Sequence, residues 1–119
     1  MENKKIVANL KDSLSLEDTK NYVKELSKLP KEIILCPGMI LFPYFLNQGY
    51  KIGVQNVAMD EHTSYTGEVK ASLVSSIGGE YALLGHSERR YYFHETDEEI
   101  SKKIKCALEH HLHVIFCIG

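Results

Sequence analysis

The chain alternates short apolar runs with stretches of helical periodicity. Five apolar runs of four or five residues are too short for helices of their own and are typical of strands buried on both faces of a parallel sheet. They cover residues 5–8, 33–36, 51–54, 81–84 and 114–118. The sequence therefore predicts five parallel strands joined by right-handed helical crossovers.

Helix signals lie between these runs. Ser15 is followed three residues later by Asp18, and Thr96 by Glu99, a spacing typical of a helix N-terminus closed by a capping box. Helices are predicted over residues 16–29, 40–46, 68–76, from 87 onward, and 97–111. Strand and helix signals thus alternate along the whole chain without an intervening linker.

Two architectures fit this alternation, namely an open doubly wound sheet and part of a (β/α)8 barrel. A nucleotide-binding open sheet usually carries a glycine-rich loop after its first strand. The segment at that position is Asn9-Leu10-Lys11-Asp12-Ser13. This segment matches neither a dinucleotide fingerprint nor a P-loop, and the periodicity alone leaves both architectures open.

Composition and charge are ordinary for a globular protein. The 119 residues are 44% apolar and 25% charged, and a net charge of −2 gives no bulk attraction to nucleic acid or membrane. No apolar run approaches the roughly 20 residues of a membrane-spanning helix, and the N-terminus has no signal-peptide core. Cys36, Cys106 and Cys117 lack a disulfide-framework spacing and are predicted to be buried free thiols. We therefore expect a cytoplasmic protein without a nucleic-acid or membrane partner.

The stretch Gly85-His86-Ser87-Glu88-Arg89-Arg90 stands at the carboxyl end of the fourth predicted strand, where α/β proteins place their chemistry. A helix is predicted to start at Ser87, and the partial positive charge of a helix N-terminus disfavours a protonated imidazole at His86. A neutral imidazole can still donate a hydrogen bond to a substrate oxygen. The alternative for His86 is a structural histidine at a strand end.

Polar side chains also follow the first and third predicted strands. Asn9 and Lys11 follow the first, and Gln55 and Asn56 follow the third. In a barrel these strand ends would face the same side as His86. Lys11 suits a phosphate or a developing oxyanion, although most lysines are solvated surface residues. Asn9 could hold Lys11 or His86 by hydrogen bonds, or could simply be a turn residue.

The remaining charged and sulfur-containing residues suggest less. Arg89 and Arg90 could pair with Glu95 or Asp97 to brace the turn after His86, or could form a solvated charged face. No metal site is predicted, because the histidines lack paired ligand spacing with cysteines or carboxylates. Cys117 lies inside an apolar strand rather than in a polar cleft, which argues against a cysteine nucleophile.

Four segments, in order and at compatible spacing, together resemble the triosephosphate isomerase family. They are Asn9-Leu10-Lys11, Gly53-Val54-Gln55-Asn56 with Tyr65-Thr66-Gly67-Glu68, Gly85-His86-Ser87-Glu88-Arg89-Arg90, and Cys117-Ile118-Gly119. The segment around His86 is the family's most recognisable motif. The resemblance implies that residues 1–119 are the N-terminal part of a single (β/α)8 TIM-barrel domain and cover about its first five strands.

The same resemblance implies an activity. The family interconverts dihydroxyacetone phosphate and glyceraldehyde 3-phosphate through an enediolate, in glycolysis and gluconeogenesis, without a cofactor or a metal. His86 would be the neutral electrophile that polarises the carbonyl and shuttles protons, and Lys11 the cation that attracts the substrate. Asn9 would orient Lys11 and contact substrate. This family is itself a standard example of a neutral histidine that acts beside a glutamate base.

Three further residues receive supporting roles from the resemblance. Glu88 would be a carboxylate near Lys11. Thr66 would lie at the tip of a loop that reaches into the partner subunit of a homodimer, and Gln55 would help to seat that loop.

The family's catalytic glutamate, its lid and its phosphate-binding glycines follow the sixth to eighth strands, beyond the part of the family that residues 1–119 resemble. We therefore expect these 119 residues to be inactive alone. Leu10 also replaces the family's usual tryptophan. The alternatives are a non-catalytic half-barrel that self-associates or pairs with another chain, and a different sugar-phosphate enzyme on the same barrel.

Overall fold

The computed structural model describes residues 4–62 and 64–118. Backbone contacts group the chain into a first unit, residues 1–55, and a second unit, residues 56–119. Gly119, the last residue of one segment that resembles the family, lies outside the described residues.

The first unit is built on parallel strands β1 (Val7–Asn9), β2 (Ile34–Cys36) and β3 (Lys51–Val54). β2 pairs with both others, in a register that sets Val7 against Ile34 and Leu35 against Ile52. All three residues of β2 are buried, as expected for a central parallel strand. Helix α1 (Leu16–Lys24) and two 3-10 helices, Leu26–Lys28 and Met39–Phe45, complete the described part of this unit.

The second unit contains the parallel pair β4 (Tyr81–Leu84) and β5 (His113–Phe116), with Tyr81 opposite His113 and Leu84 opposite Phe116. Helices α2 (Ala71–Ser76), α3 (Ser87–Tyr92) and α4 (Asp97–Glu109) belong to the same unit. Every residue of β4 is buried. β5 was predicted to be equally buried, but Val114 and Ile115 are half-buried and Phe116 is exposed.

The two predicted capping boxes are confirmed. The Ser15 hydroxyl accepts from the Asp18 N–H at 3.0 Å, and the Asp18 carboxylate accepts from the Ser15 N–H at 3.3 Å. Thr96 and Glu99 exchange the same pair of bonds at the start of α4, at 3.2 and 2.9 Å. Both helix starts are therefore determined by four consecutive residues.

Two predicted helices of the first unit differ from the structure. The helix expected over residues 16–29 ends at Lys24, and a 3-10 turn follows. The Tyr50 hydroxyl lies within hydrogen-bond distance of the carbonyls of Leu26 and Leu29 and can donate its single proton to one of them at a time, so a distant residue contacts the turn that follows the helix. The segment expected to be helical over residues 40–46 forms the 3-10 helix that contains Pro43, which has no N–H for an α-helical bond.

The helix predicted over residues 68–76 begins only at Ala71, and its N-cap residue, Lys70, makes no side-chain capping bond within the described chain. The last helix ends at Glu109 rather than at residue 111, since His111 adopts a positive φ of 67°. Apolar periodicity also overstated burial, since Leu16, Leu73 and Leu108 are exposed.

The free thiols are buried as predicted at Cys36 and Cys106, whereas Cys117 is only partly covered. Burial raises the pKa of both the Cys106 and the Cys117 thiols, which disfavours a thiolate nucleophile at either position. In the described residues, no helix combines the length and the apolar character needed to cross a membrane.

Candidate active site

His86 occupies the turn between β4 and α3, where it is the N-cap residue of the helix. Its side chain is about a quarter exposed, at 27%, and its Nδ1 accepts a hydrogen bond from the Glu88 backbone N–H at 3.1 Å. A ring nitrogen that accepts a hydrogen bond carries no proton of its own. This contact favours the tautomer with its proton on Nε2, which leaves that nitrogen as a hydrogen-bond donor.

A second contact of the same nitrogen would favour a protonated ring. The Glu88 carboxylate oxygen lies 3.4 Å from His86 Nδ1, an arrangement that becomes an ion pair only if the ring is protonated. The backbone N–H is closer to Nδ1 and meets the geometry of a hydrogen bond. Nδ1 cannot accept this bond and also carry a proton that it donates to the carboxylate. We assign the neutral ring on the shorter and better aligned contact.

Gly85 allows the chain to turn into this histidine. Its φ is +76°, and a Cβ there would lie 3.2 Å from Arg90 Nη2 and 3.3 Å from Ile100 Cγ2. Both the left-handed backbone and the close packing require glycine at this position. The sharp turn places His86 directly beyond the carboxyl end of β4.

Arg90 stabilises the turn at Gly85 through hydrogen bonds from its guanidinium. Its guanidinium donates to the carbonyl of Gly85 at 2.8 Å, to the carbonyl of Cys117 at 3.4 Å and to the Asp97 carboxylate at 2.6 Å. The predicted pairing of Arg90 with Asp97 is thus confirmed. One side chain connects the segments that follow β4 and β5 with the start of α4.

The predicted pairing of Arg89 with Glu95 is also confirmed, at 3.1 Å, and it belongs to a larger buried network. Lys103 donates to the Glu95 carboxylate and, at 2.9 Å, to the Asn56 side chain. Burial raises the pKa of Glu95, but the hydrogen bonds from Lys103 and Arg89 lower it by more, so the pKa lies below its ordinary value. The network holds a charged carboxylate in a place that water barely reaches.

Sequence reasoning missed Lys103. The signal that could have indicated it is position, because Lys103 follows Ile100 by three residues and precedes Ala107 by four. Both neighbours are buried, and Lys103 is itself only 6% exposed. A lysine on the apolar stripe of a helix needs a buried partner.

Thr66 lies at the rim of a cavity of about 400 Å³ in the second unit. The cavity is lined by Met59, Tyr65, Thr66, Glu68, Arg89, Phe93, Glu95, Glu99 and Lys103. Thr66 itself is exposed, and the neighbouring Tyr65 hydroxyl donates to Asp60 at 3.1 Å. Whether Thr66 contacts a second subunit stays a prediction.

Asn9, Lys11 and Gln55 come together in the first unit. The Asn9 side chain accepts from the Lys11 backbone N–H at 3.1 Å, and Lys11 has a positive φ of 54°. The Gln55 side-chain amide donates to the carbonyls of Lys11 and Cys36, each at 2.9 Å. Asn9 therefore holds Lys11 through its backbone as a turn residue, and Gln55 fixes the same turn from the end of β3.

The roles that need a substrate or a second subunit remain predictions for these residues. They are the phosphate attraction by Lys11, the substrate contact of Asn9, the proximity of Glu88 to Lys11 and the seating of the Thr66 loop by Gln55. Among residues 4–62 and 64–118, no three histidine, cysteine or carboxylate side chains come close enough together to hold a metal ion.

Parallel strands that alternate with helices, and that carry polar side chains at their carboxyl ends, define this chain as an α/β protein. Comparison with known proteins specifies the family. The triosephosphate isomerase family model matches residues 4–119. The chain belongs to the triosephosphate isomerase family.

Individual relatives agree with the family match. The chain is 38% identical to a triosephosphate isomerase of Clostridium botulinum (strain Loch Maree / Type A3), over 96% of this chain and 49% of that protein. It is 42% identical to one of Alkaliphilus oremlandii, over 86% of this chain and 43% of the relative. A relative from Dictyoglomus turgidum is 36% identical over all of this chain and 51% of its own length.

The chain spans about half the length of the curated relatives it matches. The family has the (β/α)8 barrel fold, so β1 to β5 are the first five strands of that barrel and the prediction of a barrel over an open sheet is confirmed.

Proposed function

We propose that this chain carries the N-terminal half of the active site of a triose-phosphate isomerase, which interconverts dihydroxyacetone phosphate and glyceraldehyde 3-phosphate. The observation that carries the proposal is the hydrogen bond that His86 Nδ1 accepts from the Glu88 N–H, which leaves Nε2 as the donor of a neutral ring. Membership of the family supports the choice of substrate.

The chemistry requires a hydrogen-bond donor at the substrate carbonyl. When a base removes a proton from the carbon beside a carbonyl, negative charge develops on the carbonyl oxygen and an enediolate forms. A preorganised donor at that oxygen lowers the barrier. In our proposal His86 donates from Nε2, then moves a proton between the two oxygens, and the base returns its proton to the neighbouring carbon.

Lys11 supplies positive charge in this proposal. An ammonium group attracts the phosphate dianion of the substrate and offsets charge on the enediolate. The bond from Asn9 and the bond from Gln55 to the Lys11 carbonyl support this role, because they fix the backbone that carries Lys11. Asn9 would contact substrate beside it.

A base is required as well, and the resemblance assigns it to no position within residues 1–119. We propose that these residues are inactive alone, that they form one domain with a C-terminal half, and that the complete enzyme is a cytoplasmic homodimer in glycolysis and gluconeogenesis. Thr66 would contact the partner subunit, with Gln55 seating its loop and Glu88 lying near Lys11.

A chimera tests the proposal. Residues 1–119 would be joined to the other half of the Clostridium botulinum relative and assayed with both triose phosphates. We expect isomerase activity that His86→Gln lowers about 10²–10⁴-fold, the usual contribution of a positioned acid–base group. His62→Gln, which changes an exposed histidine, is the control and should keep full activity. An active chimera that tolerates His86→Gln would refute the role of His86.

The second candidate function is a non-catalytic half-barrel that pairs with itself or with another chain. The exposed apolar side chains of Phe116 and Ile118 at the end of β5 favour it. A folded chimera without isomerase activity, together with self-association of residues 1–119 measured by light scattering, would support this alternative.

A further inference from the structure

One carboxylate in the loop between β3 and α2 makes an unusual set of contacts. Glu61 precedes Thr66 by five residues, and its side chain is 19% exposed. Its Oε1 accepts from the Ser72 hydroxyl at 2.5 Å, and its Oε2 accepts from the Ser72 backbone N–H at 3.3 Å. Both carboxylate oxygens therefore bind one residue in the first turn of α2.

This contact takes the place of a local cap. Lys70 at the N-cap of α2 makes no side-chain bond to the helix within the described chain, whereas α1 and α4 have their own capping boxes. A carboxylate near the first N–H groups of a helix is stabilised by their partial positive charge. Glu61 thus caps α2 from a position eleven residues before Ser72.

The charge state of Glu61 is consistent with this role. Burial raises the pKa of Glu61, but the hydrogen bonds from Ser72 and the nearby His110 lower it by more, and the pKa lies below its ordinary value. The carboxylate is therefore ionised at neutral pH, as a cap at a helix N-terminus should be.

Helix α4 contacts the same end of the loop. His110 Nε2 lies 4.0 Å from Glu61 Oε1, and the Cys106 thiol donates to the Met59 carbonyl at 2.9 Å. The carboxylate of the preceding residue, Asp60, accepts hydrogen bonds from the His62 N–H and from the Tyr65 hydroxyl, each at 3.1 Å. Contacts from α2, α4 and the loop itself thus meet at residues 59–61.

We propose that Glu61 is the positioning residue of this loop. Its carboxylate, held by Ser72 and flanked by His110, joins the loop to α2 and so determines where Thr66 stands. The inference rests on the proposed function only in its last step, in which Thr66 serves a second copy of the chain.

Backbone hydrogen exchange in the purified protein, followed by NMR, tests this role. Glu61→Gln replaces one acceptor oxygen with an NH2 group. The amides of Ser72, His62 and Glu68, each of which donates a hydrogen bond, should therefore exchange at least about tenfold faster. Glu109→Gln is the matched control, because Glu109 lies near Cys106 at the end of α4 and should leave those amides unaffected.

A double variant shows whether the two residues act through one contact. Ser72→Ala removes only the hydroxyl and should accelerate exchange less than Glu61→Gln does. The double variant should then exchange no faster than Glu61→Gln alone, because residues that share one contact are not additive. Unchanged exchange in Glu61→Gln, or effects that simply add, would overturn the inference.

Self-association separates this inference from the proposed function. Faster loop exchange together with a weaker dimer supports both the positioning role of Glu61 and the role of Thr66. Faster loop exchange in an active chimera that never dimerises keeps the role of Glu61 in holding the loop and removes the role proposed for Thr66.

Discussion

At the scale of single residues, the position of one proton on His86 determines what the ring can do. The Glu88 N–H occupies Nδ1, which leaves Nε2 as the donor. Nitrogen NMR of the labelled protein at pH 7 should show an unprotonated Nδ1 and a protonated Nε2 on this ring. A proton on Nδ1, or a doubly protonated ring, would contradict the assignment.

Gly85 gives a second test at this scale. Alanine there would have to adopt a φ of +76° and would place its Cβ 3.2 Å from Arg90 and 3.3 Å from Ile100. We expect Gly85→Ala to lower the free energy of unfolding by about 1–3 kcal/mol, measured by chemical denaturation.

Gly67→Ala is the matched control for this substitution. Gly67 has a similar φ of +87°, but a Cβ there would meet nothing within 4 Å among the described residues. Gly67→Ala should therefore lower the free energy of unfolding only through its strained backbone. Equal losses of free energy at the two glycines would show that packing around Gly85 matters little.

At the scale of elements, α4 is attached to its unit through a buried lysine. Lys103→Met would leave Glu95 with Arg89 as its only remaining cation among the contacts described here. Removing one partner of a buried pair costs about 3–5 kcal/mol, which denaturation should detect. Lys102→Met changes the exposed neighbour and should cost little, so similar losses in both variants would contradict the network.

The same network predicts how stability depends on pH. The pKa of Glu95 is lower in the folded than in the unfolded protein, so its contribution is fully present above the unfolded pKa. That contribution is lost as the pH falls through the folded pKa. In Lys103→Met the pKa of Glu95 in the folded protein should rise toward its unfolded value, so acidification should remove less stability than in the parent protein and the loss should be complete at a higher pH.

Elements also show where sequence reasoning works. The starts of α1 and α4 were predictable, because Ser15 and Thr96 each find a capping partner three residues away. The start of α2 was not, because its cap comes from Glu61, eleven residues earlier in the chain. The 3-10 turn that follows α1 likewise contacts Tyr50, more than twenty residues further along the chain.

In the candidate site, too, contacts between residues close in sequence were predictable and distant contacts were not. The motif around His86 and the pairs made by Arg89 and Arg90 were predictable, because their partners lie within eight residues along the chain. The contact of Lys103 with Asn56 spans 47 residues, and no local pattern encodes it. Gln55 was noticed in the sequence, but its bonds to Lys11 and Cys36 required the folded first unit.

At the scale of the whole molecule, we propose that the catalytic groups are divided between two halves of the barrel. Residues 1–119 match about half the length of the relatives and contain the proposed electrophile and cation, His86 and Lys11. Abstraction of a carbon-bound proton also needs a base within about 2.6–3.2 Å of that proton. Glu88 is a poor substitute, because its carboxylate and its backbone N–H both face His86 Nδ1.

The most direct test is a coupled isomerase assay on the purified 119-residue chain, with its mass confirmed first. We predict no turnover above that of the same sample with His86→Gln. Turnover near that of a typical enzyme, on the order of 10–10³ per second, would show that these residues contain their own base and would contradict the proposed division of the site.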